Sequence, residues 1–126
     1  MDLLEKVASL EAAADAFGFR WENTCQIMAQ IQSECLEIGE HLDNKVDDIN
    51  LLELQEEIGD LLHAVFSLCV FCKLNPKDTL EKTLGKFERR LNAVKKIAQD
   101  NGLIDLKGHS FDELMQIWKK AKQRVG

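Results

Sequence analysis

The chain has 126 residues, a formal net charge of −6 and 45% hydrophobic residues, with one proline and no tyrosine. This length suits a single domain with a sizeable core, and the composition is typical of packed helices rather than of a disordered or fibrous chain. The acidic net charge argues against nucleic acid or an anionic membrane as a partner. No apolar run is long enough to span a membrane and the N-terminus lacks signal-peptide features, so we expect a cytoplasmic protein.

The first predicted helix covers residues 3–17, because apolar residues recur there at steps of four and three. These residues are Leu3, Val7, Leu10, Ala14 and Phe17, and Gly18 is expected to end the helix. The segment Phe17-Gly18-Phe19-Arg20-Trp21 follows, with two open interpretations. Its rings either plug the core beneath a loop or stack on a base or cover a ligand. Phe19 and Trp21 are therefore candidate substrate-binding residues.

A second helix is predicted to start at Asn23, whose side chain can form a capping box with Gln26. Its apolar stripe consists of Met28, Ile31, Cys35, Ile38 and Leu42. At about 100° per residue, Glu34 and Glu37 fall on one flank of this stripe. We therefore expect these two acids to border the core and face a cleft.

A third helix is predicted after a polar, acidic segment at residues 43–49, which we expect to be a loop. Asn50 and Glu53 form another possible capping box at the helix start. The apolar stripe consists of Leu54, Ile58, Leu61, Val65, Leu68 and Cys72. Glu57 and Asp60 again lie on one flank, so the two helices carry their acid pairs in the same placement.

Both acid pairs have i, i+3 spacing, which puts two carboxylates on one face of a helix. If the two helices run antiparallel, four carboxylates converge, and such a set is relieved by proton uptake or by a divalent cation. Oxygen ligands of this kind suit Mg2+ or Mn2+. The alternative is a solvated helix face, because 22 acidic residues supply by chance about four pairs at this spacing.

A fourth helix is predicted to start at Asn75-Pro76-Lys77-Asp78, with a buried face formed by Leu80, Leu84, Phe87, Leu91 and Val94. Beside that face lies a basic ridge of Lys82, Lys86, Arg89 and Arg90. The ridge is either a set of solvated cations or a cradle for a triphosphate. Asn101-Gly102 is expected to end this helix, and Ser110 with Glu113 is expected to cap a fifth helix that carries Trp118 and Lys122.

Four cysteines lie within helical patterns, two of them in the CxxC sequence Cys69-Val70-Phe71-Cys72. This spacing is compatible with a redox pair or half of a zinc site. Because the surroundings are apolar and no second CxxC exists, we interpret the cysteines as buried, reduced thiols.

Taken in order, these motifs resemble the MazG-type nucleoside triphosphate pyrophosphohydrolases, an all-α family with an ExxE, spacer, ExxD signature. The matching residues are Glu34-x-x-Glu37 and Glu57-x-x-Asp60, with Gly18-Phe19-Arg20-Trp21 before them and Lys86-Phe87-Glu88-Arg89-Arg90, Trp118 and Lys122 after them. The likeness runs from about residue 14 to residue 122. It implies a single-domain antiparallel bundle of about five helices over residues 1–126. One departure is Ser33, where the family often has a further glutamate.

The resemblance implies Mg2+-dependent hydrolysis of a nucleoside triphosphate to the monophosphate and pyrophosphate, in the clearing of nucleotide pools. Glu34, Glu37, Glu57 and Asp60 would be the catalytic, metal-holding residues. Lys86, Arg90 and Lys122 would contact the phosphates, and Trp118 would border the nucleotide. The family also implies a homodimer or homotetramer.

Two other functions stay open. The first is a carboxylate-bridged dinuclear iron or manganese protein, since Asp60-Leu61-Leu62-His63 is close to the ExxH motif of such bundles. A second motif of that kind is missing, because neither His41 nor His109 has an acid three residues before it. The other is a non-catalytic helical interaction module with the same fold.

Overall fold

The computed structural model describes residues 1–43 and 48–126, and these form α-helices without strands, which confirms the all-α prediction. The five helices are α1 (Leu3–Phe17), α2 (Thr24–Asp43), α3 (Asp48–Phe71), α4 (Pro76–Asp100) and α5 (Phe111–Val125). The chain divides into two compact units, Met1–Thr79 and Leu80–Gly126. The first unit holds α1, α2 and α3, and the second holds α5 and most of α4.

Helix α1 has the predicted bounds, and both of its ends are closed by local hydrogen bonds. Asp2 and Glu5 form a capping box at the start, with the Asp2 carboxylate accepting from the Glu5 N–H at 2.8 Å. At the other end Gly18 has φ of 94°, and its N–H donates to the Asp15 carbonyl at 2.9 Å. Glycine adopts this left-handed conformation without steric strain, so the predicted stop at Gly18 is confirmed.

The starts of α2 and α3 agree only in part with the predicted caps. Asn23 accepts from the Gln26 N–H at 3.0 Å as expected, but the Gln26 side chain accepts from the N–H of Glu22 at 2.8 Å rather than from that of Asn23. Helix α3 begins at Asp48, so the predicted helix start at Asn50 is wrong. The predicted loop at 43–49 falls mostly on residues 44–47, which lie outside the described part of the chain.

The starts of α4 and α5 are confirmed. The Asn75 side chain accepts from the Asp78 N–H at 3.1 Å, and Pro76 occupies the first helical position. Ser110 accepts from the Glu113 N–H at 3.2 Å and opens α5. Between them, α4 ends at Asp100 and is followed by Gly102 with φ of 73°.

The face that α2 buries is rotated from the predicted stripe. Ile27 and Glu34 are the buried residues of this helix, and Ile31 and Ile38 are half-buried. The predicted stripe residues Met28 and Leu42 are 42% and 57% exposed, and Cys35 is exposed. Glu34 therefore lies on the inner face of α2 rather than on a flank, because the apolar stripe is wide and only one edge of it is covered within the chain.

Helix α3 shows the same shift. Ala64 and Ser67 are buried, whereas the predicted stripe residues Ile58 and Val65 are 42% and 41% exposed. Helix α1 buries no residue, and Leu3 and Leu10 of its predicted stripe are exposed. The single chain thus covers less of its apolar surface than the periodicity of these helices predicts.

In the second unit a small core forms where α4 meets α5. It consists of Ala93, Ile97 and Ala121, with Val94 and Ile117 packed against them. Leu84 and Phe87, which were expected on the buried face of α4, are 55% and 50% exposed.

All four cysteines are free thiols, but their predicted burial is wrong: Cys25, Cys35 and Cys72 are exposed and Cys69 is half-buried. Among the described residues, no helix combines the length and the apolar character that a membrane span requires.

Candidate functional site

The two acid pairs lie on the two helices of the first unit that pack most extensively against each other, α2 and α3. His41, near the end of α2, contacts Glu53 and Glu57 in the first half of α3, so the two helices run antiparallel. Glu34 is buried, with 8% of its surface exposed, and Glu57 is half-buried.

The Glu34 carboxylate is unusual because its two oxygens have different surroundings. Oε1 accepts a hydrogen bond from Nε2 of Gln30, one turn earlier in α2, at 2.8 Å. Oε2 is buried and has no hydrogen-bond partner in the described part of the chain. A buried carboxylate oxygen without a partner is energetically unfavourable. A bound cation would satisfy this oxygen.

The Glu37 carboxyl reports how close the acids of the two helices are. Glu37 is exposed, and its pKa is raised above the ordinary value, first by the repulsion of Glu34, then by desolvation, and then by the repulsion of Glu57. Glu34 and Glu57 therefore both repel Glu37, and a positive charge near Glu37 would be stabilised.

Glu57 is held by a residue that the sequence did not single out. His41 Nδ1 lies 2.6 Å from Oε2 of Glu57, and His41 Nε2 lies 3.1 Å from Oε2 of Glu53. The hydrogen bond to Glu57 is the main reason why the pKa of His41 is raised, and burial opposes it. The i, i+4 spacing of Glu53 and Glu57 was a visible signal, but the partner on α2 depends on how the two helices are aligned.

Asp60, the fourth predicted acid, is exposed. Within residues 1–43 and 48–126, no three His, Cys, Asp or Glu side chains lie close enough together to form a preformed metal cluster. The all-oxygen donor set and the unpartnered Glu34 oxygen nevertheless fit a hard divalent cation.

His63, which suggested the dinuclear alternative, makes its contact away from the acid pairs. Its Nε2 lies 2.8 Å from Oε1 of Glu11 on α1, and the Ser67 hydroxyl donates to the same oxygen at 2.6 Å. Glu11 thus joins α1 to α3, and the Asp60–His63 motif is accounted for by this structural contact.

In the second unit the structure brings two of the predicted site residues, Arg90 and Trp118, into one cluster with Phe87. The guanidinium of Arg90 lies 5.7 Å from the centre of the Trp118 ring, and the ring of Phe87 lies 5.9 Å from it. Arg90 Nε also donates to the Gly126 carbonyl at 3.0 Å. Lys86 and Lys122 are exposed. Arg90 is therefore held in place by a cation–π contact and a hydrogen bond.

In the aromatic segment at the end of α1, the rings of Phe17 and Phe19 are not buried in the core, contrary to one of the two interpretations of this segment. Phe17 and Phe19 are 91% and 81% exposed, and Trp21 is half-buried. Arg20 pairs with Asp15 at 3.7 Å. The role of Phe19 and Trp21 in substrate binding stays a prediction.

The chain is similar to known proteins over most of its length. A Thermotoga maritima protein named nucleoside triphosphate pyrophosphohydrolase/pyrophosphatase MazG is 29% identical over 119 residues, which are 94% of this chain and 44% of that protein. An Escherichia coli K12 protein named nucleoside triphosphate pyrophosphohydrolase is 27% identical over 107 residues, or 85% of this chain and 40% of that protein. A Bacillus subtilis protein named uncharacterized protein YabN is 31% identical over 70 residues, which are 56% of this chain and 14% of that protein.

The chain thus spans less than half the length of these curated relatives. A family model described as the MazG nucleotide pyrophosphohydrolase domain matches residues 22–95, which include both acid pairs, Lys86 and Arg90. Since that match covers more than half of the chain, the chain belongs to the MazG nucleotide pyrophosphohydrolase domain family.

Proposed function

We propose that this domain hydrolyses a nucleoside triphosphate to the monophosphate and pyrophosphate with the help of Mg2+, in the clearing of nucleotide pools. The observation that carries the proposal is the buried Glu34 Oε2 atom without a hydrogen-bond partner, next to carboxylates that repel one another. The names of the Thermotoga and Escherichia relatives agree with this activity.

Glu34, Glu37, Glu57 and Asp60 are the residues that would hold the metal, and Mn2+ suits the same oxygen donors. Bound Mg2+ would neutralise the triphosphate and lower the pKa of an attacking water. The chain itself contributes the arrangement of charge: Gln30 orients Glu34, and the antiparallel helices keep Glu37 near Glu34 and Glu57. Metal binding would relieve this repulsion.

For the second unit, we propose that Lys86, Arg90 and Lys122 contact phosphate groups and that Trp118 contacts the nucleotide. The support is the position of Arg90, which the Trp118 ring and the Gly126 carbonyl hold before any ligand binds. An arginine that is already ordered loses less side-chain entropy when it grips a phosphate. Phe19 and Trp21 are proposed as further substrate contacts on the strength of their exposed or half-buried rings.

We also propose that the chain forms a homodimer or homotetramer. Met28, Cys35 and Leu42 recur every seven residues along α2 and are exposed in the single chain, as are Ile58 and Val65 on α3. A second copy that covers these faces would remove apolar surface from water, at about 25 cal/mol per Å2. Light scattering should show a species at least twice the monomer mass, and Val65→Lys should shift it toward the monomer. A wild-type monomer at micromolar concentration would contradict this.

The activity is tested by incubating the wild-type chain with each common ribo- and deoxyribonucleoside triphosphate and Mg2+, with phosphorus NMR to identify the products. We expect pyrophosphate and the monophosphate from at least one substrate, and little inorganic phosphate. Glu57→Gln should abolish turnover. Glu56→Gln is the matched control, since it removes the same charge from the exposed neighbouring position. No pyrophosphate from any nucleotide would rule out the proposed function, and equal turnover by both variants would rule out Glu57 as a metal-holding residue.

A further inference from the structure

His41 connects the two helices of the candidate site through both nitrogens of its ring. Nδ1 lies 2.6 Å from Oε2 of Glu57, and Nε2 lies 3.1 Å from Oε2 of Glu53, one turn earlier on α3. The histidine side chain is only 18% exposed. Because each ring nitrogen has its own glutamate partner, rotation of the ring would break both contacts, so the ring and the Glu57 carboxylate hold each other in one orientation.

The Glu57 carboxylate needs such a partner. It belongs to a set of carboxylates that repel one another, since Glu37 is influenced by both Glu34 and Glu57. A glutamate also has several rotatable bonds, so without a fixed partner Glu57 would move away from the other acids toward water. The contact with His41 opposes that movement from the α2 side.

We propose that His41 is a positioning residue that keeps Glu57 turned toward Glu34 and Glu37 for binding of a divalent cation. The inference rests on the proposed function, in which these acids hold Mg2+. It assigns His41 no contact with metal or substrate. Partners that orient a metal-binding carboxylate or histidine typically change metal affinity or activity 10- to 100-fold when they are lost.

The chain contains a matched control in the same unit. His63 makes a contact of the same kind, with Nε2 2.8 Å from Oε1 of Glu11, but it joins α3 to α1. Its side chain is 66% exposed. Loss of the His63 ring nitrogens therefore removes one histidine–glutamate contact, and the glutamate in it, Glu11, is not one of the predicted metal-holding acids.

The experiment measures Mn2+ binding to the chain without nucleotide, by calorimetry or by the EPR signal of free Mn2+. His41→Phe keeps the volume of the ring and removes both nitrogens, and His63→Phe is the same change at the control position. We expect the Kd for Mn2+ to rise about 10- to 100-fold in His41→Phe and to stay at the wild-type value in His63→Phe. His41→Gln, whose amide can donate to Glu57, should recover part of the affinity.

A second readout separates positioning from a general loss of structure. With pyrophosphate release as the assay, His41→Phe should need more Mg2+ for half-maximal rate, while kcat at saturating Mg2+ changes less than threefold. If His41→Phe does not fold, His41→Ala carries the same expectation. If Glu57→Gln abolishes Mn2+ binding but a folded His41 variant binds Mn2+ with the wild-type Kd, the role proposed for His41 is wrong. If wild type and Glu57→Gln bind Mn2+ alike, the proposed function itself fails.

Discussion

Gln30 donates through Nε2 to Oε1 of Glu34 at 2.8 Å, while Oε2 of the same carboxylate is buried without a hydrogen-bond partner in the described part of the chain. One oxygen is thus oriented by the protein, and in the proposed function the other would bind a cation. Native proteins satisfy nearly all buried polar groups, so an exception of this kind indicates a functional position.

Glu34→Gln should lower pyrophosphate release at least about 100-fold, the upper end of the effect expected for loss of an outer-shell partner. The amide keeps the shape of the side chain but removes the charge that a cation requires. Without Mg2+ the variant should melt no lower than wild type, because an unpartnered buried charge has been removed. Calorimetry with and without Mg2+ and the product assay check both parts. Retention of wild-type turnover would show that Glu34 is not a metal-holding residue.

Gln30→Ala should weaken both the fold and the site by a moderate amount. Loss of a hydrogen bond to a carboxylate is expected to reduce the free energy of unfolding by about 1.5–3 kcal/mol if the charge stays buried. The Mg2+ concentration for half-maximal activity should rise about 10-fold. Gln32→Ala, at an exposed position of the same helix, is the control. Urea unfolding and a Mg2+ titration measure the two effects, and equal behaviour of the two variants would contradict the orienting role of Gln30.

Without Mg2+, the stability of the chain should fall as the pH rises from about 4.5. The pKa of Glu37 is raised from 4.5 by Glu34, burial and Glu57, so the folded state binds more protons than the unfolded state in this window. A carboxyl group whose pKa is higher in the folded state than in the unfolded state destabilises the fold when the pH is above its pKa in the folded state. Below its pKa in the unfolded state the group is protonated in both states and has no such effect. Glu37→Gln should reduce the pH dependence, and saturating Mg2+ should do the same for wild type. Melting temperatures between pH 4 and 7 test this; identical curves for wild type and Glu37→Gln would contradict it.

Ser67→Ala should destabilise the fold without changing metal binding. Ser67 is buried, with 4% of its surface exposed, and its hydroxyl donates to Oε1 of Glu11 at 2.6 Å. Loss of this hydrogen bond to a carboxylate should lower the free energy of unfolding by about 1.5–3 kcal/mol. The Mg2+ requirement for activity should match that of wild type. A clear rise in that requirement would show that α1 is coupled to the acid pairs.

The sequence predicts the helices well wherever their ends carry a local signal. Gly18, Asn75 and Ser110 mark helix ends through contacts within a few residues, and the structure has those ends. The predicted start of α3 at Asn50 is wrong, because α3 begins at Asp48 and Asn50 lies within the helix. A capping pattern does not identify the first turn when helical residues also precede it.

The site could be predicted only in part, because its key contacts cross between helices. The spacing of the acid pairs made Glu34 and Glu57 candidate site residues, but hydrophobic patterning assigned Glu34 to a flank since it treats a charged residue as outside the core. The structure buries Glu34 on the inner face of α2. His41 was missed for a similar reason: its partners are on α3, and their distance depends on the alignment of two helices rather than on spacing in one.

The most direct measurement of the central claim is a crystal structure of the chain with Mn2+ and a nucleoside triphosphate analogue that cannot be hydrolysed, with anomalous scattering used to locate the metal. We expect the strongest anomalous peak at about 2 Å from Oε2 of Glu34, with Glu57 among the other ligands. If the anomalous peak places the metal elsewhere and Oε2 of Glu34 still has no partner, the claim that these acids form the metal site is contradicted.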